Sequence, residues 1–209
     1  MKLIIFDYDG VIVDSLAFLK KVYMKISGIL HIDVPEKDEL FRELLELDWR
    51  ETYKKLDIIA KDKVSLSEFT YHIYSSKHSN LIKPYPDIKE VLEKLSKKYK
   101  LAIVSNSFKK DIIPMLKKHE LDYFSAIFTP EDGILKPHPD LLIKCMHHFN
   151  VKSKDTVFIG DMDGDIVAGK AAKVKTIAVT YGFHLKHRLA EADIIINSPK
   201  EIISALEGI

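Results

Sequence analysis

The sequence predicts an α/β fold: a Rossmann-like parallel-sheet core carrying an inserted all-helical unit. Three observations carry this. From residue 86 to the C-terminus short apolar runs alternate with helical stretches, a spacing that builds a parallel sheet with right-handed crossovers. The N-terminal run Leu3-Ile4-Ile5-Phe6 is too apolar to stand outside that sheet. Between residues 16 and 82 amphipathic stretches follow one another with no convincing strand.

Taken in order, the first strand ends at Asp7-Tyr8-Asp9-Gly10. Leu16, Leu19, Val22, Tyr23 and Ile26 then recur at helical spacing over residues 16–27. Further helices are expected over Pro35–Leu47, over Trp49–Ile59, and from Ser65 to about Ser79, where Ser65 and Glu68 read as a capping box. The stripe Phe41, Leu44, Leu45, Leu47 is expected to be the core of this unit. Lys83-Pro84-Tyr85-Pro86 ends it, and the two prolines restrict the return linker as a hinge would. Strands are then expected near 101–106, 126–129, 156–161, 175–180 and 193–197. Helices are expected near 87–97, 109–119, 138–149, 164–172, 184–191 and 199–207. The organisation is therefore a core of residues 1–15 and 83–209 and a helical cap of residues 16–82.

Composition narrows the class. The chain has 209 residues, 46% of them apolar, enough for a sizeable core. A formal charge of +1 argues against a dedicated nucleic-acid binder, which shows a basic excess. No apolar stretch approaches the roughly 20 residues of a membrane span, and residues 1–6 lack the features of a signal peptide. A single Cys145 excludes an intrachain disulfide and fits a reducing compartment. A cytoplasmic protein, monomeric or a small homo-oligomer, without membrane or nucleic-acid partners, is expected. His147 and His148 are adjacent and would face different sides of a helix, a poor metal pair.

The chemistry sits at predicted strand ends. Carboxylates are costly to bury, so the pair Asp7 and Asp9 calls for a cation, a proton or a ligand. In open α/β sheets ligands bind just outside the carboxyl ends of the strands. Three further segments occupy equivalent places: Val104-Ser105-Asn106-Ser107, Leu135-Lys136-Pro137-His138-Pro139-Asp140, and Gly160-Asp161-Met162-Asp163-Gly164-Asp165. Asp7, Asp9, Asp161 and Asp165 supply hard oxygen ligands, which suit Mg²⁺. Lys136, Ser105 and nearby backbone N–H groups supply phosphate donors. A carboxylate beside Mg²⁺ and a lysine can attack phosphorus, and a second acid can protonate the leaving oxygen.

In these four ordered segments the chain resembles the haloacid dehalogenase superfamily, in its phosphatase branch with a helical cap. It is similar to phosphoglycolate phosphatases and to β-phosphoglucomutase-like members, over almost the whole chain. The resemblance implies a Mg²⁺-dependent hydrolase of small phosphorylated metabolites. It makes Asp7 the nucleophile and Asp9 the general acid/base. It assigns phosphate binding to Ser105, Asn106 and Lys136. It assigns the metal to Asp7, Asp161 and the backbone carbonyl of Asp9, with Asp165 in support.

Two positions depart from the family pattern. Met162 replaces a Ser or Thr, which removes a hydroxyl. Lys173 replaces a helix-ending glycine, which would cost on the order of 1 kcal/mol in a left-handed conformation. Asp163 reads as a helix-start residue. Trp49, Arg50 and Tyr53 follow a helix break and are the candidates for contact with the leaving group. The alternatives are a phosphosugar mutase of the same family, whose sugar-binding pattern is not found in residues 33–60, and a non-catalytic binding protein that kept the fold.

Overall fold

The computed structural model describes the backbone throughout and every side chain except those of residues 72–78. Its centre is β1 (Leu3–Phe6), whose four side chains are fully buried. Residues of a strand alternate between faces, and β1 does so cleanly. Ile4 and Phe6 join one apolar cluster, Leu3 and Ile5 another on the opposite face. A strand covered on both sides needs no polar residue, which is why its text is a continuous apolar run.

The remaining strands are β4 (Lys100–Val104), β5 (Ala126–Phe128), β6 (Thr156–Gly160), β7 (Lys175–Val179) and β8 (Ile194–Ile196). They form one parallel sheet of six strands in the order β5-β4-β1-β6-β7-β8. The chain runs outward from β1 to β5, then returns to the other side of β1 to lay down β6. The loops after β1 and β6 therefore diverge at a switch in strand order, where such sheets open a crevice. Helices α5 (Ile88–Ser96), α6 (Lys109–Lys118) and α9 (Glu201–Glu207) supply one apolar face; α7 (Asp140–Phe149) and α8 (Asp163–Ala171) supply the other.

Between β2 (Val13–Asp14) and β3 (Lys83–Pro84) lie α1 (Leu16–Leu30), α2 (Asp38–Leu44), α3 (Trp49–Lys55) and α4 (Lys61–His78). β2 and β3 pair antiparallel, so the chain leaves and re-enters the core through one short ribbon. The helices pack around Phe18, Val22, Tyr23, Ile26, Phe41, Leu45 and Tyr53, as the stripe in α2 suggests, and this cluster also takes in Met162 and Phe183 from the sheet side. Among the described residues no helix is long and apolar enough to cross a membrane.

Three local expectations are corrected. Ser65 and Glu68 do not open a helix: α4 begins four residues earlier at Lys61, with Ala60 at its N-cap. Packing of α4 against α1 overrides the local cap signal. The helix expected at 184–191 is only a 3₁₀ turn over Lys186–Leu189, because Leu185 is extended and the preceding residues are tied to other parts of the fold. The stretch Pro35–Leu47 is helical only over α2; Leu45 turns extended, and the residues after it leave the helix to meet the sheet.

Candidate active site

The acidic side chains of the site come from the loop after β1, the residue that follows β6 and the first turn of α8. The peptide N–H of Asp7 still belongs to the sheet, bonding to the Ile159 carbonyl at 2.8 Å. Beyond it the backbone turns at Gly10, whose φ of +76° only glycine adopts without strain. A Cβ there would also stand 2.0 Å from Asp161 Oδ2. The glycine of the Asp-x-Asp-Gly sequence thus lets the β1 loop lie directly against the β6 loop.

Asp7, Asp161 and Asp165 are buried, and each places a carboxylate oxygen within 4.8 Å of the others. Lys136 is buried among them, its Nζ 2.9 Å from Asp7 Oδ1 and 2.7 Å from Asp165 Oδ1. Asp7 Oδ1 also accepts the Tyr8 N–H at 2.7 Å; Oδ2 has no hydrogen-bond partner among the described residues. Asp165, at the third position of α8, accepts from the N–H groups of Met162 (3.0 Å) and Asp161 (3.2 Å) through Oδ2, half of a capping box. Both its oxygens are engaged, and it braces Lys136 and the β6 loop at once. Asp161 Oδ2 accepts the Phe183 N–H at 2.6 Å, whereas Oδ1 is buried without a partner among the described residues.

Fully ionised, the three buried carboxylates would outweigh the one ammonium by two negative charges. Burial raises the pKa of Asp7 to about 7, against the attraction of Lys136. Burial, then Asp165 and Asp7, pushes Asp161 well above the carboxylate range. Burial alone would lower Lys136, but Asp165 and Asp7 outweigh it and hold the ammonium above its ordinary value. The orphaned Asp161 oxygen and the excess negative charge fit a divalent cation bound by hard oxygen donors.

Asp9 stands apart from this cluster. Its Oδ1 accepts from Ser15 Oγ at 2.5 Å and its Oδ2 from Ser107 Oγ at 2.6 Å. Burial raises its pKa, opposed by these two hydroxyls. Ser105 Oγ accepts the Ser107 N–H at 3.0 Å, which leaves its own hydrogen free to donate. The Asn106 carboxamide is spent on the backbone: it accepts from the Lys136 N–H (3.0 Å) and donates to the carbonyls of Lys136 (2.9 Å) and Leu47 (3.2 Å). It grips the lysine segment and the helical unit rather than pointing at the acids.

The cap candidates separate. Arg50 and Asp48, paired at 2.8 Å, line an open cleft of about 740 Å³ opposite the segment from Lys136 to Pro139. Tyr53 is buried, edge-on to Tyr23 and Trp49, so it belongs to the core of the helical unit. Trp49 is about two-fifths exposed (39%). Leu47, expected only as part of the helical unit's core stripe, packs on the first turn of α8, where a Cβ at Gly164 would stand 2.6 Å from Leu47 Cδ2. Ser15 and Ser107 were silent in the sequence, since a lone serine at a strand end is usually a turn residue. Met162 does not leave a gap: it is buried in the helical unit's apolar cluster. Lys173 takes the left-handed conformation, at φ 59°. Asp163 is the first residue of α8, as expected of a helix-start residue.

A family model described as haloacid dehalogenase-like hydrolase matches residues 4–179. A phosphoglycolate phosphatase of Pasteurella multocida is 30% identical, over 99% of this chain and 98% of its own. A pyrophosphatase PpaX of Halalkalibacterium halodurans is 27% identical, over 96% and 94%. Among solved structures, a haloacid dehalogenase-like family hydrolase from Streptococcus pneumoniae superposes with a TM-score of 0.87 over 99% of this chain and 98% of its own, at 22% identity.

Proposed function

We propose, from the premise that this chain belongs to the haloacid dehalogenase-like hydrolases and is a phosphatase among them, that it hydrolyses small phosphomonoesters through an aspartyl phosphate on Asp7 in a Mg²⁺-dependent reaction. One observation carries the reading: a buried, unpartnered Asp161 oxygen beside Asp7 and Asp165, with a lysine clamped in the same cluster. Asp7, Asp161 and the Asp9 backbone carbonyl are the proposed metal-holding groups. Asp165 braces them. The cation would supply charge neutralisation for nucleophile and phosphate.

Asp7 Oδ1 is held by Tyr8 and Lys136, so Oδ2 is the oxygen available to attack phosphorus. Lys136 and the Ser105 hydroxyl bind the non-bridging phosphoryl oxygens, with Asn106 acting through its grip on Lys136. As the P–O bond breaks, Asp9 gives its proton to the departing alkoxide. It then takes a proton from the water that attacks the acyl phosphate, releasing Asp7 and inorganic phosphate. The raised pKa of Asp9 suits it to carry that proton. Residues 16–82 are proposed to act as a movable cap that admits substrate and excludes water during attack. Arg50, which lines the cleft beside the Lys136 segment, is the cap residue proposed to meet the leaving group, with Trp49 beside it.

The phosphoglycolate phosphatase relatives favour a small acid phosphate as substrate; the pyrophosphatase relatives make pyrophosphate the competing candidate. A panel of phosphorylated metabolites including both, assayed with Mg²⁺ and with EDTA, tests the proposal. Mg²⁺-dependent release of phosphate from at least one small monoester is expected. Full activity in EDTA contradicts the metal assignment; activity on pyrophosphate alone contradicts the monoester assignment.

A further inference from the structure

Among the described residues a second concentration of charged groups lies where the helical unit meets the sheet. Arg188, in the 3₁₀ turn after β7, donates through Nη2 to Glu46 Oε2 (2.9 Å), through Nε to Asp163 Oδ2 (3.0 Å) and through Nη1 to the Leu45 carbonyl (3.3 Å). One guanidinium fork thus joins the helical unit to the start of α8. His184 is fully buried; its Nδ1 accepts the Asp163 N–H at 3.0 Å, and its Nε2 lies 3.1 Å from the Leu45 carbonyl. A backbone N–H can only donate, so the ring proton sits on Nε2 and is given to Leu45. Arg42 reaches the other way, from α2 to the carbonyls of Tyr181 and Gly182. Glu46, Asp163 and His184 are close enough together to suggest a metal site. The guanidinium already lies between the two carboxylates, however, and His184 Nδ1 is taken.

The same loop touches the acid cluster with its opposite edge. The Phe183 N–H is the partner of Asp161 Oδ2, at 2.6 Å, and the His184 N–H bonds to the Asp161 carbonyl at 3.3 Å. Gly182 lies so close that a Cβ there would stand 2.2 Å from Asp161 Cβ. Residues 181–188 therefore hold Asp161 on one side and the segment 42–46 of the helical unit on the other.

We propose that this loop couples docking of the helical unit to the orientation of Asp161, with Arg188 and His184 as its positioning residues. When segment 45–46 is seated, Arg188 and His184 fix the loop, the Phe183 N–H pins Asp161 Oδ2, and Oδ1 is aimed into the cluster. When it lifts, the loop loses the Leu45 and Glu46 anchors and Asp161 loses its fixed partner. The consequence for metal affinity rests on the reading of Asp161 as a metal-holding residue; the mechanical coupling does not.

Hydrogen–deuterium exchange of the full chain tests it, on peptides covering 160–166 and 181–188, with a peptide over β4 as reference. Glu46→Gln changes only the helical unit, yet it is expected to speed exchange in both sheet-side peptides by roughly 5-fold or more, the lower end of ordinary site–site coupling. Arg188→Ala should do the same, the double variant no more than Arg188→Ala alone, and Arg188→Lys should fall between. Lys55→Gln removes the other partner of Glu46 and should leave the 160–166 peptide at the wild-type rate. Half-saturating Mg²⁺, read from thermal stabilisation, should rise by a similar factor in Glu46→Gln. Faster exchange confined to 42–48, with 160–166 unchanged, would overturn the coupling; Glu46→Gln decides the matter even if Arg188→Ala does not fold. Coupled exchange in a wild type that Mg²⁺ does not stabilise would instead overturn the metal assignment and leave the coupling standing.

Discussion

The carboxyl end of the sheet and the helical unit above it are built to different standards. At the sheet end each charged group of the cluster is held from several sides: Lys136 by two carboxylates, Asp165 by the lysine and two peptide N–H groups, Asp9 by two hydroxyls. The helical unit uses two helices of only seven residues and leaves Leu40, Ile59, Leu66 and Phe69 exposed. Its links to the sheet include a two-residue ribbon, the polar seam at Arg42, Leu45, Glu46 and Leu47, and the packing of Met162 and Phe183 into its apolar cluster. The difference teaches that the geometry at the sheet end is over-determined, whereas the helical unit proposed to face the leaving group is tied down by fewer groups. Reaction and selectivity should therefore respond to different substitutions.

The largest expected effect lies at the sheet end. Asp7→Asn should reduce turnover by roughly 10⁴-fold or more, as loss of a nucleophile does, while the fold persists. Phosphate release and mass spectrometry of trapped phosphoenzyme check it. Near wild-type turnover in a sample free of deamidation would erase the distinction between the two regions.

Acid–base behaviour comes next. Burial raises Asp7 from 3.8 to about 7 and raises Asp161 in the same direction. At these two sites the folded protein therefore binds more protons than the unfolded chain across that window. Their contribution to the stability of the metal-free protein should fall as pH rises from about 4 to 7, by roughly 3 kcal/mol from Asp7 alone. Saturating Mg²⁺ should stabilise more at pH 7 than at pH 5, and Asp161→Asn should flatten the metal-free slope. Urea unfolding at several pH values measures all three.

On the helical unit the effects should be smaller and selective. Arg50→Ala should change relative kcat/KM between a carboxylated and an uncharged phosphoester by roughly 10-fold, the scale of one pocket contact. It should alter kcat for acetyl phosphate little. Tyr53→Phe, inside the unit's core, should shift no such ratio. A common slowing of every substrate by Arg50→Ala would make the unit a scaffold.

The smallest effect concerns neither region's chemistry. Lys173→Gly relieves a left-handed lysine after α8 and should stabilise the fold by about 1 kcal/mol, read from the urea midpoint, with turnover unchanged.

The sequence by itself determined the sheet and its reactive edge. A strand buried on both faces must be a short apolar run, and charged residues can follow it only where the sheet ends; β1 with Asp7, and β6 with Asp161, are legible for that reason. The left-handed Lys173 was legible only through the family resemblance, which puts a helix-ending glycine at that place. Tertiary structure decided what depends on residues distant in the chain. Ser65 and Glu68 have the spacing of a cap, but packing on α1 carries the helix back to Lys61. Met162 looks like a missing hydroxyl until the helical unit closes over it. Asn106 pairs with Lys136 and Leu47, and Arg188 with Glu46 and Asp163, across separations no periodicity records. A polar side chain's partner is chosen by which donors and acceptors the folded backbone brings within about 3 Å, and that choice is made only after the elements have packed.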